Sequence, residues 1–187
     1  MRRTTDIVFW LAASLWLSLA LVGGLAAMAI FPAARDLPLS MEGYEPFIAE
    51  HATLGRQLVA GHLVERVFAA STAPRFALAV LAAVAILLQL GRSARPPLFR
   101  LRLSALALAA LALSASTFVL LPRFQAADRE YRAAARKPET IPEALAQKSA
   151  VDAAHEDASR AATLEVVALL ALIGLSAAAG SGASRRG

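Results

Sequence analysis

Four apolar stretches recur along the chain and are almost free of charge, at residues 7–31, 74–91, 103–121 and 161–179. No charged residue occurs from Ile7 through Ala34. Each stretch is near the ~20 residues that a helix needs to cross ~30 Å of hydrocarbon. Pro32 and Pro122 are predicted to end the first and third helices, and Pro74 to begin the second. The pattern therefore predicts four membrane-spanning helices.

Two polar stretches, residues 44–70 and 142–160, are predicted to form helices outside the membrane. In the first, apolar residues such as Leu54 and Leu58 recur at helical spacing. The second is rich in Ala, Glu and Lys, which favour helix. Each helix either lies on the bilayer surface or extends the span that follows it, and continuity along the chain favours extension. Pro74 predicts a kink in the first of them, and residues 180–187 are predicted to be a flexible tail.

The arginines predict the orientation of the chain. Short segments at both chain ends and between the second and third spans hold a single acid, Asp6, and eight arginines: Arg2, Arg3, Arg92, Arg95, Arg100, Arg102, Arg185 and Arg186. In a four-span arrangement all of them fall on one side. The positive-inside rule then puts both termini in the cytoplasm and the two longer loops outside, as in a bacterial inner-membrane protein.

The composition supports a single integral-membrane domain covering residues 1–187. Hydrophobic residues make up 58% and charged residues 18% of the chain, against about 45–50% and about 25% in soluble domains. The absence of cysteine excludes disulfides and thiolate metal sites. The net charge of +5 comes largely from orientation-setting arginines, so nucleic acid is not an expected partner. The lipid bilayer is, and a membrane-protein partner or a second copy of the chain remains open.

The order of elements suggests two similar halves. In each half an apolar stretch ends near a proline and a polar stretch follows, then a histidine-bearing helix and a second span. A duplication of this kind would be parallel, with a pseudo-two-fold axis along the membrane normal. Shared composition alone is the alternative. The predicted fold is an all-α polytopic four-helix bundle of two helical-hairpin halves with helical extensions outside the membrane.

Histidines and carboxylates in the two external helices form a candidate metal site. His62 and Glu65 lie at positions i and i+3, and Asp152 and His155 repeat that spacing. A carboxylate-x-x-His element occurs in di-metal bundles, and these ligands suit zinc, iron or manganese. The alternative is that all four are solvated or form local ion pairs. No cofactor is expected otherwise.

Three charged residues lie within or beside the predicted spans. Glu165 lies one turn inside the fourth span, while Arg75 and Arg123 flank the external interface. Because a charge in hydrocarbon is expensive, such residues are paired or functional. A structural ion pair of Glu165 with Arg75 or Arg123 is one interpretation, and a proton- or cation-coupled role for Glu165 is the other. Trp10 fits an interface position and Trp16 a core position.

Several short motifs resemble the transmembrane protein 205-like family, a four-span membrane domain of unknown function. The resemblance covers about residues 8–178 and rests on Leu15-Trp16-Leu17-Ser18, Gly23-Gly24, Phe31-Pro32, Ala60-Gly61-His62, Leu121-Pro122 and Ala154-His155-Glu156-Asp157-Ala158-Ser159. It implies four spans and no established enzymatic activity.

The sequence thus favours a non-enzymatic membrane protein with a binding, accessory or transport-related role. The alternative is a membrane protein, possibly an enzyme, that uses a His/carboxylate metal site made by His62, Glu65, Asp152 and His155.

Overall fold

A computed structural model describes residues 2–37, 40–89 and 96–184, and in these ranges the chain is helical without any strand. The α-helices are α1 (Arg2–Asp36), α2 (Glu45–Glu50), α3 (Ala52–Leu87), α4 (Pro96–Ala115), α5 (Leu121–Ala135) and α6 (Ile141–Ser184). A π-helical turn, Ser116–Leu120, joins α4 to α5, and a 3₁₀ turn, Pro138–Thr140, precedes α6. The all-α prediction is confirmed.

Four helical segments are long and apolar enough to cross a bilayer: Arg3–Asp36, Ala52–Leu87, Pro97–Ala135 and Pro138–Ala179. The chain is therefore a multi-pass membrane protein. Each segment is longer than the apolar stretch that predicted it. The predicted end of the second span at Gly91, and Arg92, Arg95, Arg185 and Arg186, lie outside the described residues.

The helix ends predicted at Pro32 and Pro122 and the helix start predicted at Pro74 are wrong. The predicted extension of the external helix into the second span is confirmed, and the kink at Pro74 stays a prediction. Pro32 and Pro74 lie inside α1 and α3, which continue past them, and Pro122 is the second residue of α5 rather than the end of a helix. Proline removes one backbone hydrogen bond and crowds the carbonyl four residues earlier, a cost that long membrane helices tolerate. At Pro122 the π-helical turn lies directly before the ring, where its wider backbone gives the ring space.

The helix predicted over residues 44–70 is interrupted at His51, which has φ −125° and ψ 62° and separates α2 from α3. A close approach accompanies the interruption. A Cβ atom on Gly55 would lie 2.7 Å from Cγ1 of Ile48, so glycine lets the two helices fold tightly together. From Ala52, α3 runs unbroken to Leu87. Likewise α6 covers both the predicted external helix and the fourth span, and it reaches Ser184 inside the predicted tail.

The chain divides into two compact units. The first unit comprises Met1–Leu21, Ser71–Ala115 and Ala161–Gly187. Apolar side chains from four helices fill its core, including Phe9, Trp16, Ile86, Leu113, Leu169 and Leu172. Leucines and valines elsewhere on these helices are exposed, as expected for helices that face lipid.

The second unit comprises Val22–Ala70 and Ser116–Arg160. Residues of α2, α3, α5 and α6, together with Tyr44 just before α2, build its core. The core residues include Tyr44, Phe47, Leu58, Tyr131, Ile141 and Val151. The Phe47 and Tyr131 rings meet edge to face, with centroids 6.0 Å apart.

Within the second unit, α1 and α3 approach closely at Gly23. A Cβ atom at this position would lie 2.3 Å from Cε1 of Phe68, whereas a Cβ atom on the adjacent Gly24 would meet nothing within 4 Å. The Phe68 ring therefore occupies the space that a side chain at Gly23 would need. Only Gly23 of the two glycines is required by packing.

Candidate functional sites

A buried ion pair lies in the first unit. The carboxylate of Glu165 in α6 is fully buried and the side chain of Arg75 in α3 nearly so. Nε of Arg75 donates to Oε1 of Glu165 at 3.2 Å, and its Nη2 donates to Oε2, so the pair is bidentate. Trp16 in α1 adds a third donor, with its Nε1 2.7 Å from Oε1. Of the two pairings left open by the sequence, the structure contains the one with Arg75, and Arg123 is exposed.

This arrangement satisfies both carboxylate oxygens and neutralises the charge. A buried carboxylate costs several kcal/mol unless it is paired and hydrogen-bonded, and bidentate guanidinium contacts are the strongest common solution. Because one residue from each of α1, α3 and α6 takes part, the network fixes three helices against one another. A proton- or cation-coupled role for Glu165 stays a prediction.

A second polar chain in the first unit connects α1, α4 and α6. Nε of Arg102 donates to Oγ of Ser176 at 2.9 Å, and Nη2 donates to Oε1 of Gln89 at 2.9 Å. The Gln89 amide in turn donates to Asp6 at 3.0 Å. The Arg102 guanidinium also lies 5.2 Å from the ring centre of Phe9. Sequence reasoning treated Arg102 only as an orientation-setting loop residue, but it is 6% exposed and belongs to α4.

In the second unit, the predicted metal ligands of α3 lie beside an arginine. Nδ1 of His62 is 4.0 Å from Oε2 of Glu65. Arg132 of α5 reaches both, with Nη1 3.0 Å from His62 Nδ1 and Nη2 3.2 Å from Glu65 Oε2. Its Nε lies 2.6 Å from Oδ2 of Asp128. The Arg132 guanidinium thus contacts both of the α3 side chains that the sequence predicts as metal ligands.

The predicted ligands of α6 are engaged locally. Asp152 forms an ion pair with Lys148, four residues earlier. Nε2 of His155 is 3.5 Å from Oγ of Ser159, and its ring centre is 6.0 Å from that of Phe124. Over residues 2–37, 40–89 and 96–184, three or more His, Asp or Glu side chains do not gather into a group that could hold a metal. The metal site formed by His62, Glu65, Asp152 and His155 stays a prediction.

An open cavity of about 400 Å³ lies in the second unit beside this cluster. Its lining comes from the segment before α2, from α3, and from α5 with its C-cap residue: Met41, Glu42, Tyr44, His62, Arg129, Arg132, Ala133 and Arg136. The volume falls in the range of small-molecule pockets, about 300–1,000 Å³.

Three arginines give this cavity its character. Arg129 and Arg132 lie at positions i and i+3 of α5, and Arg136, the C-cap residue with helical backbone angles, continues the same face at i+7. Nε of Arg136 donates to the Tyr44 hydroxyl at 3.0 Å, and its guanidinium lies 5.2 Å from the Tyr44 ring centre. Nε of Arg129 donates to the backbone carbonyl of Gln125 at 3.1 Å. Sequence reasoning missed this cavity, although the arginine spacing was its visible signal.

The comparisons with known proteins yield no relative. No protein-family model matches the chain, and neither a curated protein nor a solved structure shows significant similarity to it. The similarity to the transmembrane protein 205-like family therefore stays a prediction from short motifs.

Proposed function

We propose that the chain is a non-enzymatic binding or accessory component of a membrane, and that the second unit carries its binding site. The observation that carries this proposal is the arginine-lined cavity of about 400 Å³. Its lining supplies charge, hydrogen-bond donors and an aromatic wall, which are the groups that hold and orient a small polar molecule.

The buried charges of the first unit support a structural role for that part of the chain. Glu165 receives hydrogen bonds from Arg75 and Trp16, and Arg102 is held by Ser176 and Gln89. Closed networks of this kind hold helices together in hydrocarbon. These networks therefore support a structural role for the first unit.

We further propose a bacterial inner-membrane location with both termini in the cytoplasm. The support is the clustering of arginines in three short segments on one side of a four-span chain. With this orientation the segments between the first and second spans and between the third and fourth spans face outward. The residues that line the cavity lie outside the four apolar stretches of the sequence, on the side that this orientation turns outward, so its ligand would come from the external side or from the outer lipid leaflet.

Native mass spectrometry of the full chain, extracted in mild detergent, tests the binding proposal. Wild-type protein is expected to carry a small molecule at one copy per chain. Ala133→Trp places an indole at the cavity lining and removes that molecule, while Ala126→Trp at an exposed site of the same helix retains it. Equal retention in both variants contradicts the proposal. A stoichiometric metal that His155→Ala abolishes would replace it with the metal-dependent alternative.

A further inference from the structure

We infer that the arginine-lined cavity of the second unit recognises a phosphate group, either of a free phosphate ester or of a lipid headgroup. This inference rests on the proposed function, because it names the ligand class of the binding site assigned to the second unit. The cavity lining brings three guanidinium groups and a tyrosine hydroxyl together against a single carboxylate, Glu42.

Of the three arginines that line the cavity, one is neutralised by carboxylates of the protein and two are available to a ligand. Arg132 is shared between the carboxylates of Asp128 and Glu65, and it also contacts His62. Its charge is therefore compensated within the protein. Arg129 and Arg136 have the backbone of Gln125 and the side chain of Tyr44 as their partners, and neither is matched by a carboxylate in the part of the chain that the structure describes. These two arginines supply the positive charge that a bound anion would meet.

Arg136 is held in place in a way that leaves it able to bind. Its Nε donates to the Tyr44 hydroxyl, and the central carbon of the guanidinium lies over the Tyr44 ring. Both Nη groups stay available, because within residues 2–37, 40–89 and 96–184 they have no other hydrogen-bond partner. An arginine positioned before binding loses less side-chain entropy when it binds an anion, and its fork of donors matches two oxygens at once.

Tyr44 contributes a donor that is already desolvated. The residue is 2% exposed, yet it lines the cavity. Because its hydroxyl oxygen accepts a hydrogen bond from Arg136, the hydroxyl proton is available for a ligand. A buried donor that has already lost its water gains more from an anionic acceptor than an exposed donor does.

The arrangement of donors favours phosphate over carboxylate. Arg129 in α5 and Arg136 at its C-cap lie almost two helical turns apart, and Tyr44 approaches from the segment before α2. Donors from separate directions suit a tetrahedral group with several acceptor oxygens, whereas a carboxylate offers two oxygens in one plane. The cavity is larger than the donor cluster requires, which leaves room for the organic part of an ester.

Isothermal titration of the full chain in phosphatidylcholine nanodiscs tests this inference, with glycerol phosphate as the probe and acetate as the comparison. We expect glycerol phosphate to bind at least about tenfold more tightly than acetate. Arg129→Gln and Arg136→Gln should each weaken binding about tenfold or more, since each removes a charged hydrogen-bond donor to the anion. Arg160→Gln is the matched control and should change binding less than twofold, because Arg160 is exposed and pairs only along its own helix.

Arg129→Gln still tests the inference if Arg136→Gln perturbs folding, because the hydrogen bond that Arg129 makes goes to the backbone of its own helix. Nanodiscs that contain phosphatidylglycerol distinguish the two sources of phosphate. Weaker glycerol phosphate binding in these discs identifies a lipid headgroup as the competing ligand, and unchanged binding identifies a free ester.

Two results overturn the inference. The first is wild-type protein that binds neither glycerol phosphate nor phosphatidylglycerol. The second is binding that is equal in both arginine variants and the wild type. If the wild type carries a molecule without phosphate and Ala133→Trp removes it, the proposed function survives and only the ligand class is wrong.

Discussion

The indole N–H of Trp16 donates a 2.7 Å hydrogen bond to Oε1 of Glu165, which lies 149 positions later in the chain. The first and last helices of the first unit are thereby joined by a polar contact inside an otherwise apolar core. The same carboxylate also accepts hydrogen bonds from Arg75. Trp16, Arg75 and Glu165 therefore form one network, in which the loss of Glu165 leaves the other two without this acceptor.

Glu165→Ala is expected to lower the free energy of unfolding by about 3–5 kcal/mol, because it leaves the Arg75 guanidinium buried without its counter-charge. Denaturant unfolding in detergent micelles measures this change. Glu156→Ala is the matched control. Glu156 pairs with Arg160 on the surface, and its loss should cost no more than about 1 kcal/mol. Similar losses for the two variants would show that the Arg75–Glu165 pair has no special structural role.

Arg75→Leu combined with Glu165→Leu should recover much of the stability lost by either single change. Replacing a buried ion pair by apolar side chains is often neutral or stabilising, since no charge remains to be compensated. A double variant as unstable as the worse single variant would indicate that the pair does more than balance its own charges.

Trp16→Phe should lower the free energy of unfolding by about 1–3 kcal/mol, because a smaller aromatic ring replaces the indole and Glu165 loses a donor. The companion variant Trp10→Phe changes a partly exposed indole and is expected to have little effect. Thermal unfolding followed by circular dichroism compares the two. If Trp10→Phe is the more damaging change, the hydrogen bond to Glu165 is not what makes Trp16 important.

Gly23→Ala and Gly24→Ala form a pair of adjacent substitutions with opposite expected effects. The first forces a methyl group against the Phe68 ring, and overpacking of this kind costs about 1–3 kcal/mol. The second meets open space and should be neutral or stabilising by up to about 1 kcal/mol through helix propensity. Melting temperatures in detergent give the comparison. Adding Phe68→Ala to Gly23→Ala should restore stability, and failure to do so would contradict the close approach.

The two tyrosines of the second unit should respond differently to removal of their hydroxyl groups. The Tyr131 hydroxyl is buried and has no hydrogen-bond partner among the described residues, so Tyr131→Phe is expected to leave stability unchanged or raise it by up to about 1 kcal/mol. Tyr44→Phe removes the acceptor of Arg136 and should cost about 0.5–1.5 kcal/mol. Chemical denaturation of both variants checks the order, and the reverse order would contradict it.

Single cysteines test the proposed orientation, and the natural chain contains none that would interfere. Glu139→Cys, at an exposed position before α6, is expected to react with a membrane-impermeant maleimide in intact cells. Thr4→Cys, near the N-terminus, should react only after the membrane is permeabilised. Labelling of residue 4 but not residue 139 in intact cells would reverse the orientation.

The helical fold was accessible from the sequence because hydropathy alone identifies segments that must bury their backbone hydrogen bonds in lipid. Helix ends were less accessible. Pro32 and Pro74 act locally as helix breakers, but the helices continue through them. The break at His51 was also missed, because it depends on how tightly Gly55 approaches Ile48 rather than on any strong breaker in the sequence.

The polar contacts could be predicted from the sequence only in part. The cost of a charge in hydrocarbon pointed to a partner for Glu165, and Arg75 was one of two choices. Trp16 was not anticipated as a third member, because its spacing in α1 indicated only a core position. The cavity was missed for a similar reason. Arg136 and Tyr44 are 92 positions apart, and no local pattern reveals that they meet.

The separation of Arg75 and Glu165 along the chain also constrains biosynthesis. Arg75 belongs to α3, and its carboxylate partner is made 90 residues later. At a translation rate of about 5–20 residues per second, the guanidinium enters the membrane roughly 5–20 s before its counter-charge exists. Only the arrival of α6 completes the pair. A nascent chain that lacks α6 therefore carries Arg75 without the carboxylate that neutralises it in the finished fold.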